Sequence, residues 1–313
     1  MVTENTRCNV LVVLGATATG KTALAVYLAR ELGAEIISAD SRQVYRGLDI
    51  GSGKDLGEYG DIPYHLVDVA SLPDEYSVFH FQKDFYASVQ DIQSRSSMPL
   101  VCGGTGLYLD SVIRGYEFRE VPVNPLLREE LSHLSVEELA QRLLSLKQDI
   151  HNKTDLLEKP RLVRAIEIAE YIRLSDNMEC SYTFERSGIR AGVLGIRFER
   201  AELRSRIQQR LDQRLEQGMV EEVASLQASG ISWERLERLG LEYRFTAEFL
   251  QKKIPSFSEY RNGLYTAICQ FAKRQETWFR GMERKGVRIE WVENGNRDHA
   301  LSIARRMTGR HSD

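Results

Sequence analysis

Gly15, Gly20, Lys21 and Thr22 stand in the pattern Gly-x4-Gly-Lys-Thr, within the run Gly15, Ala16, Thr17, Ala18, Thr19, Gly20, Lys21, Thr22. This spacing suits a phosphate-binding loop. The glycines let the backbone curl so that its N–H groups turn toward a diphosphate; Lys21 adds a point charge, and the Thr22 hydroxyl can hold Mg²⁺. The bland alternative is a glycine-containing turn with a buried threonine. Most loops of this kind serve phosphoryl transfer, where a second acid at a strand end helps to hold the metal. The apolar run at 98–102 ends in Cys102, Gly103, Gly104 and Thr105, without a carboxylate, whereas the run at 34–39 ends in Asp40. Asp40 is therefore a metal partner or a base, or else a helix cap. Thr105 can hydrogen-bond a group in the cleft, or it merely follows a turn that needs glycine.

Two further stretches carry charge in a pattern. Residues 197–214 hold six arginines against three acids, with Arg206, Arg210 and Arg214 at four-residue spacing beside the apolar stripe Leu203, Ile207, Leu211, Leu215. The stripe reads as core. The arginines form either a solvated face paired with Glu202 and Asp212, or a face from which one side chain turns inward to a phosphate. Residues 270–290 hold six basic and three acidic side chains, among them Lys273, Arg274, Arg280 and Arg284, interleaved with Trp278 and Phe279. Basic residues among aromatics suit an RNA backbone and unstacked bases; a buried aromatic face with a charged rim is the other reading.

Positioning these residues requires an α/β frame. "NVLVVLG" (9–15), "AEIISA" (34–39) and "MPLVCGG" (98–104) read as buried strands. Helical patterns lie between them, so the strands form a P-loop-like parallel sheet wrapped by helices. The loop then follows a strand and opens a helix, the context it needs. After Gly115 the pattern turns helical, and no strand signal returns until 191–198; a further strand is expected at 286–293, with long helices around 199–228 and 257–284. The expected division is a transferase core with C-terminal helices at 8–119 and 190–313, interrupted by a helical insertion at 120–189.

The composition narrows the class. Hydrophobic residues at 42% permit a sizeable core, and a net charge of −3 excludes a global basic field, so any nucleic-acid surface must be a local patch. Cys8, Cys102, Cys180 and Cys269 are scattered, which argues against a zinc site or a disulfide framework and fits a reducing cytoplasm. "MVTENTR" has no apolar signal core and no apolar run approaches a membrane span. A cytoplasmic protein with no membrane partner is expected.

Taken in order, "GATATGKTALA" (15–25), "EIISADSRQVYRGLDIGSGK" (35–54), "HLVDV" (65–69), "PLVCGGTGLYL" (99–109), "RLVRAIE" (161–167), "LRSRIQQRLDQRLEQGMVEEVASL" (203–226) and "AKRQETWFR" (272–280) resemble the tRNA isopentenyltransferase family, whose members are tRNA dimethylallyltransferases. The resemblance implies transfer of a dimethylallyl group from dimethylallyl diphosphate to the exocyclic amine of adenosine 37 of tRNA. The loop then grips the departing pyrophosphate, and no phosphoryl group moves. It implies Asp40 as acceptor for the adenine amine, and Lys21, Thr22 and Arg210 as leaving-group contacts. Thr105 would lie near the reacting centre, with Asp40, Ser41, Arg42 and Gln43 against the extruded adenine. Arg128, Arg161, Arg164, Lys273 and Arg274 are the further tRNA-contacting positions. Mg²⁺ is the implied cofactor, the anticodon stem-loop the implied partner of the insertion, and a monomer the implied state. The chain departs from the family pattern at Pro160, Cys269, "DIGSGKD" and 173–187. Three alternatives remain: an adenylate isopentenyltransferase acting on free AMP, ADP or ATP, a small-molecule P-loop kinase, and an RNA-binding protein with a structural loop.

Overall fold

Six parallel strands lie in the order β3-β2-β4-β1-β5-β6. They are β1 (Val10–Gly15), β2 (Ala34–Ala39), β3 (Tyr64–His65), β4 (Met98–Gly103), β5 (Ala191–Arg197) and β6 (Ile289–Glu293). In this computed structural model residues 7–146, 158–175 and 188–310 are described; Cys180 and residues 176–187 of the divergent stretch lie outside them. Every residue of β1, β2 and β4 is buried, as expected of a parallel sheet covered on both faces. Leu11, Val13, Ile36, Leu100 and Leu194 pack with α1 (Lys21–Leu32) and α12 (Arg297–Thr308). Side chains alternate along a strand, so Val10, Val12 and Leu14 turn the other way. Helix α2 (Val78–Ser94) packs on β2, β4 and α3 (Gly106–Ile113).

The topology places the chemistry. From β1 the chain crosses to β2 on one side, whereas β4 leads to β5 on the other. Connections leaving neighbouring strands in opposite directions open a crevice at the carboxyl ends of β1 and β4, the usual ligand position in such sheets.

The chain divides into two compact units, residues 1–116 with 185–313 and residues 117–184. The first also contains α7 (Arg200–Glu216), α8 (Met219–Ala228), α9 (Trp233–Glu237), α10 (Leu241–Leu250) and α11 (Phe257–Arg284). The expected single helix at 199–228 is broken, because Gly218 takes a left-handed conformation (φ 99°) between α7 and α8. The apolar stripe Leu203, Ile207 and Leu211 packs α7 against Leu264, Ile268 and Ala272 of α11 and against Ala16 and Ala18 of the loop. Burial of such side chains stabilises by about 1.5–3 kcal/mol each, against a few tenths for each like-charge pair on one helix face. Packing therefore wins, and α7 carries its arginines to the loop. β3 went unread in the sequence; it is a two-residue edge strand.

The second unit holds α4 (Pro125–Ser132), α5 (Val136–Leu146) and α6 (Lys159–Ser175) around Leu127, Leu131, Leu139, Leu143, Leu162 and Ile166. Asn124 caps α4 by accepting from the Leu127 N–H at 3.1 Å, with Pro125 at the first helical position. Glu167 is buried and gathers the unit's donors: the Asn124 N–H at 2.7 Å, both arms of Arg128 at 3.1 Å, and Arg164. Arg164 also donates to the Val121 carbonyl at 2.8 Å.

Candidate active site

The loop between β1 and α1 curls through positive φ at Ala18 (62°) and Gly20 (77°). Thr19 Oγ1 donates to the Ala16 carbonyl at 2.8 Å and Lys21 Nζ to the same oxygen at 3.2 Å. Gln275 of α11 ties the loop to the end of β4. Its Oε1 accepts from the Thr17 N–H at 2.9 Å, and its Nε2 donates to the Gly104 carbonyl at 2.8 Å. A Cβ at Gly104 would lie 2.6 Å from that Nε2, 3.2 Å from the Gly15 carbonyl and 3.5 Å from Lys21 Nζ. Glycine lets the two strand ends close on one another.

These strand ends and α7 enclose a cavity of about 300 Å³. Its lining includes Thr17, Ala18, Gly20, Lys21 and Thr22 from the loop, Asp40, Arg42 and Gln43 after β2, and Cys102 and Gly103 of β4. Ser52, Gly53, Asp55, Glu58 and Tyr59, together with Arg206, Gln209, Arg210, Gln213, Arg214 and Gln275, complete the wall. Gly15, Ala16, Thr19, Ser41 and Thr105 stand behind it. The structure thus brings Lys21, Thr22, Asp40, Arg42, Gln43 and Arg210 into one chamber.

Five cations meet three carboxylates there: Lys21, Arg42, Arg206, Arg210 and Arg214 against Asp40, Asp55 and Glu58. Besides Lys21, which the Ala16 carbonyl holds, three of the cations are anchored. Arg214 pairs with both oxygens of Asp55, Arg42 pairs with Glu242, and Arg206 donates to the Ala18 carbonyl at 2.8 Å. Arg210 makes no hydrogen bond or ion pair among the described residues. Burial, with Arg214 nearby, pushes its guanidinium below its ordinary pKa. Burial lowers Lys21 likewise, Arg210 adding to the effect. Buried cations without full compensation mark a site built for an anion. Burial also pushes the Cys102 thiol up to about 12, so it stays protonated at neutral pH, although Lys21 and the Thr22 hydroxyl oppose the rise.

Asp40 Oδ1 accepts from the Arg42 N–H at 2.9 Å, a local Asx turn. Oδ2 has no partner among the described residues. Burial alone would lower Arg42, but Glu242 and Asp40 beside it hold it above its ordinary value. Thr105 begins α3 and staples two strand ends together. Its N–H donates to the Ala39 carbonyl at 3.2 Å, and its Oγ1 accepts from the Ser41 N–H at 3.0 Å. Gln43 bridges Ser38, at 3.0 Å, to the Gly53 carbonyl, at 3.2 Å.

The pairing of the α7 arginines with Glu202 and Asp212 gives way to a different arrangement. Asp212 instead takes both arms of Arg261 at 2.7 Å, which leaves all three arginines to the cavity. Along α11, Lys273 and Arg274 are exposed, Trp278 is 39% exposed, and Phe279 is buried at 1%. Of the aromatic residues 278 and 279, only Trp278 offers surface. Arg128 and Arg164 are engaged with Glu167 in the second unit, and Arg161, about half exposed, pairs with Glu158 at 3.0 Å. Sequence reasoning passed over Gln275 and Asp55, and it saw Arg206 and Arg214 only as members of a charged helix face of which one arginine was expected to turn inward. "AKRQ" and the four-residue arginine spacing were the available signals, but neither shows what the side chains meet.

A parallel sheet with a glycine-rich loop of the phosphate-binding pattern, closed by an arginine-bearing helix and an aspartate at the neighbouring strand end, defines an α/β enzyme of the P-loop type. Two family models match the chain, IPP transferase over residues 43–282 and Isopentenyl transferase over residues 8–59. The tRNA dimethylallyltransferase 2 of Treponema denticola is 56% identical over 284 residues, 91% of this chain and 95% of the relative. That of Trichlorobacter lovleyi is 55% identical, covering 91% and 92%. The crystal structure of a tRNA isopentenylpyrophosphate transferase from Bacillus halodurans superimposes with a TM-score of 0.69 at 28% identity, covering 96% of each chain. The chain belongs to the IPP transferase family.

Proposed function

We propose that this enzyme transfers the dimethylallyl group of dimethylallyl diphosphate to the N6 amine of adenosine 37 of tRNA, releasing pyrophosphate. The observation that carries the reading is the chamber itself, with surplus cations on the loop and α7 side and an acceptor at Asp40 on the other. A kinase needs groups to move a phosphoryl unit. Here the groups suit holding a diphosphate while its bond to carbon breaks.

The electron pair of N6 forms the bond to the first prenyl carbon as the carbon–oxygen bond breaks and its electrons pass to the diphosphate. Lys21, Arg210 and the loop N–H groups hold the growing negative charge in place, electrostatic work of the oxyanion-hole kind. Asp40 Oδ2 accepts the N6 proton in this reading, and the Thr105–Ser41 staple supports it by fixing the turn that carries Asp40. Mg²⁺ fits this chamber: the Thr22 hydroxyl offers a hard oxygen donor in its lining, and the ion characteristically takes few protein ligands beside substrate phosphates. When bound it neutralises charge on the departing diphosphate. Among the described residues no group of three or more His, Cys, Asp or Glu side chains is arranged to hold a metal ion.

The helical unit (expected at 120–189), with Arg161, and the exposed Lys273 and Arg274 are the surfaces we assign to the anticodon stem-loop. Arg128 and Arg164 then shape that unit by holding Glu167. Extruding adenosine 37 costs a few kcal/mol, which the RNA contacts offset. No described helix is long and apolar enough to cross a membrane, which supports the reading of a cytoplasmic enzyme; the family resemblance supports a monomer.

The test offers prenyl-labelled dimethylallyl diphosphate and Mg²⁺ with either tRNA or AMP and ATP. Label is expected in tRNA, with a tRNA affinity that falls steeply as salt rises. Label in free nucleotides with a flat salt profile for tRNA would make the enzyme an adenylate isopentenyltransferase. Phosphate transfer from labelled ATP would make it a kinase.

A further inference from the structure

Ser52, Gly53 and Asp55 of the loop 49–55 line the cavity, and an acid outside the cavity holds that loop. Glu222 of α8 accepts from three successive backbone N–H groups: Asp49 at 3.1 Å and Ile50 at 2.6 Å through Oε2, and Gly51 at 3.1 Å through Oε1. The Tyr243 hydroxyl of α10 donates to the same Oε1 at 2.8 Å. The Tyr243 ring backs Gly51 so closely that a Cβ there would lie 2.8 Å from Cζ. Consecutive N–H groups converging in this way make an anion-binding concavity, here filled by a carboxylate of the chain itself. Glu222 does not line the cavity.

What the loop carries gives this contact its importance. Gly53 has φ +69°, and a Cβ added to it would lie 2.0 Å from Arg210 Nη2. Two residues on, Asp55 takes both arms of Arg214. The positions of Arg210 and Arg214 in the cavity therefore depend on where residues 53–55 sit. That in turn depends on the turn seated on Glu222, which Lys54 reinforces from within by donating to the Tyr45 carbonyl at 2.9 Å and to Asp49 at 2.8 Å. Position is what the chemistry needs, since a charge displaced from the departing diphosphate loses much of its effect.

We infer that Glu222, seated by Tyr243, is a positioning residue for the diphosphate leaving group, acting through loop 49–55 on Arg210 and Arg214. The inference rests on the diphosphate reading of the cavity. Its test measures binding of inorganic pyrophosphate with Mg²⁺ by calorimetry, steady-state constants for both substrates, and thermal unfolding, on the full chain. Glu222→Gln keeps the shape, but its amide turns a donor toward N–H donors. It is expected to weaken pyrophosphate binding and raise the KM for dimethylallyl diphosphate by roughly tenfold to a hundredfold, with tRNA KM unchanged and a folded protein. Tyr243→Phe removes one of four donors to Glu222 and should give a smaller change in the same direction. Arg210→Ala is the control. If it weakens pyrophosphate binding while Glu222→Gln and Tyr243→Phe alter only the unfolding temperature, the positioning role is overturned and the diphosphate reading stands. If Arg210→Ala leaves pyrophosphate binding unchanged, the cavity reading itself fails.

Discussion

Gly53→Ala should damage diphosphate binding through a residue that the substitution does not remove. Two effects arise from one methyl group. Gly53 has φ +69°, where an L side chain costs about 1–2 kcal/mol. The new Cβ would also lie 2.0 Å from Arg210 Nη2 and 3.1 Å from its Cζ, a separation that cannot persist. The clashing atoms belong to the far end of a flexible side chain, so the guanidinium moves and the fold survives with a stability loss of about 1–2 kcal/mol. The displaced arginine forfeits a charge-assisted interaction with the diphosphate worth about 1.5–3 kcal/mol, which corresponds to roughly tenfold to a hundredfold in Kd. The assay is calorimetric binding of pyrophosphate to the wild type, Gly53→Ala, Arg210→Ala and the double variant. Because the alanine acts by moving Arg210, its effect on binding should largely vanish in the Arg210→Ala background, a coupling of the size of the single effect. Two additive losses, or a Gly53→Ala variant that unfolds earlier yet binds pyrophosphate normally, would refute the placement of Arg210 at the leaving group.

Lys21→Ala should cost roughly 2–4 kcal/mol of transition-state stabilisation with tRNA binding almost unchanged, read from single turnovers on bound tRNA; lost tRNA affinity with intact turnover would remove Lys21 from the diphosphate. Asp40→Asn should reduce turnover by about a hundredfold to ten-thousandfold with little change in donor affinity, and a clear rescue by raised Mg²⁺ would move Asp40 from the amine to the metal. Burial would raise Glu167, but hydrogen bonds from Arg128, the Asn124 N–H and Arg164 outweigh it and hold its carboxyl below the ordinary value. Its contribution is therefore complete above the unfolded pKa and is lost as pH falls through the folded one. Thermal unfolding followed from about pH 6 to about pH 3 should show this acid loss in the wild type. Glu167→Gln should be destabilised by about 1–3 kcal/mol at neutral pH and lose less on acidification; equal acid sensitivity in both proteins would show that Glu167 is not its source.

The parts of the site that lie on one short stretch were legible from sequence. Glycine spacing and a preceding apolar run mark the phosphate loop, and a strand ending in Asp40 can be seen without a structure. The parts made by distant pairing were not. Gln275 meets Thr17 across 258 residues, Arg214 meets Asp55 across 159, and Glu222 meets Ile50 across 172; nothing local distinguishes these side chains from solvated ones. The arginine stripe of α7 was visible, but its direction was decided by burial of Leu203, Ile207 and Leu211 against α11. In "RLVRAIE" the glutamate that occupies Arg164 is only three residues along the helix, yet its burial, which makes it a hub, depends on the packing of α4 onto α6. β3 escaped because two edge residues carry no periodicity.

The central claim is that a prenyl group passes to one amine of one tRNA nucleotide while the diphosphate leaves intact. The direct measurement is mass spectrometry of oligonucleotides and nucleosides from tRNA incubated with the enzyme, dimethylallyl diphosphate and Mg²⁺. A single added dimethylallyl group on the N6 of adenosine 37, with one pyrophosphate released per group transferred, is the predicted result. Unmodified tRNA beside prenylated AMP or ATP, or a modification that adds phosphate and no carbon, would contradict it.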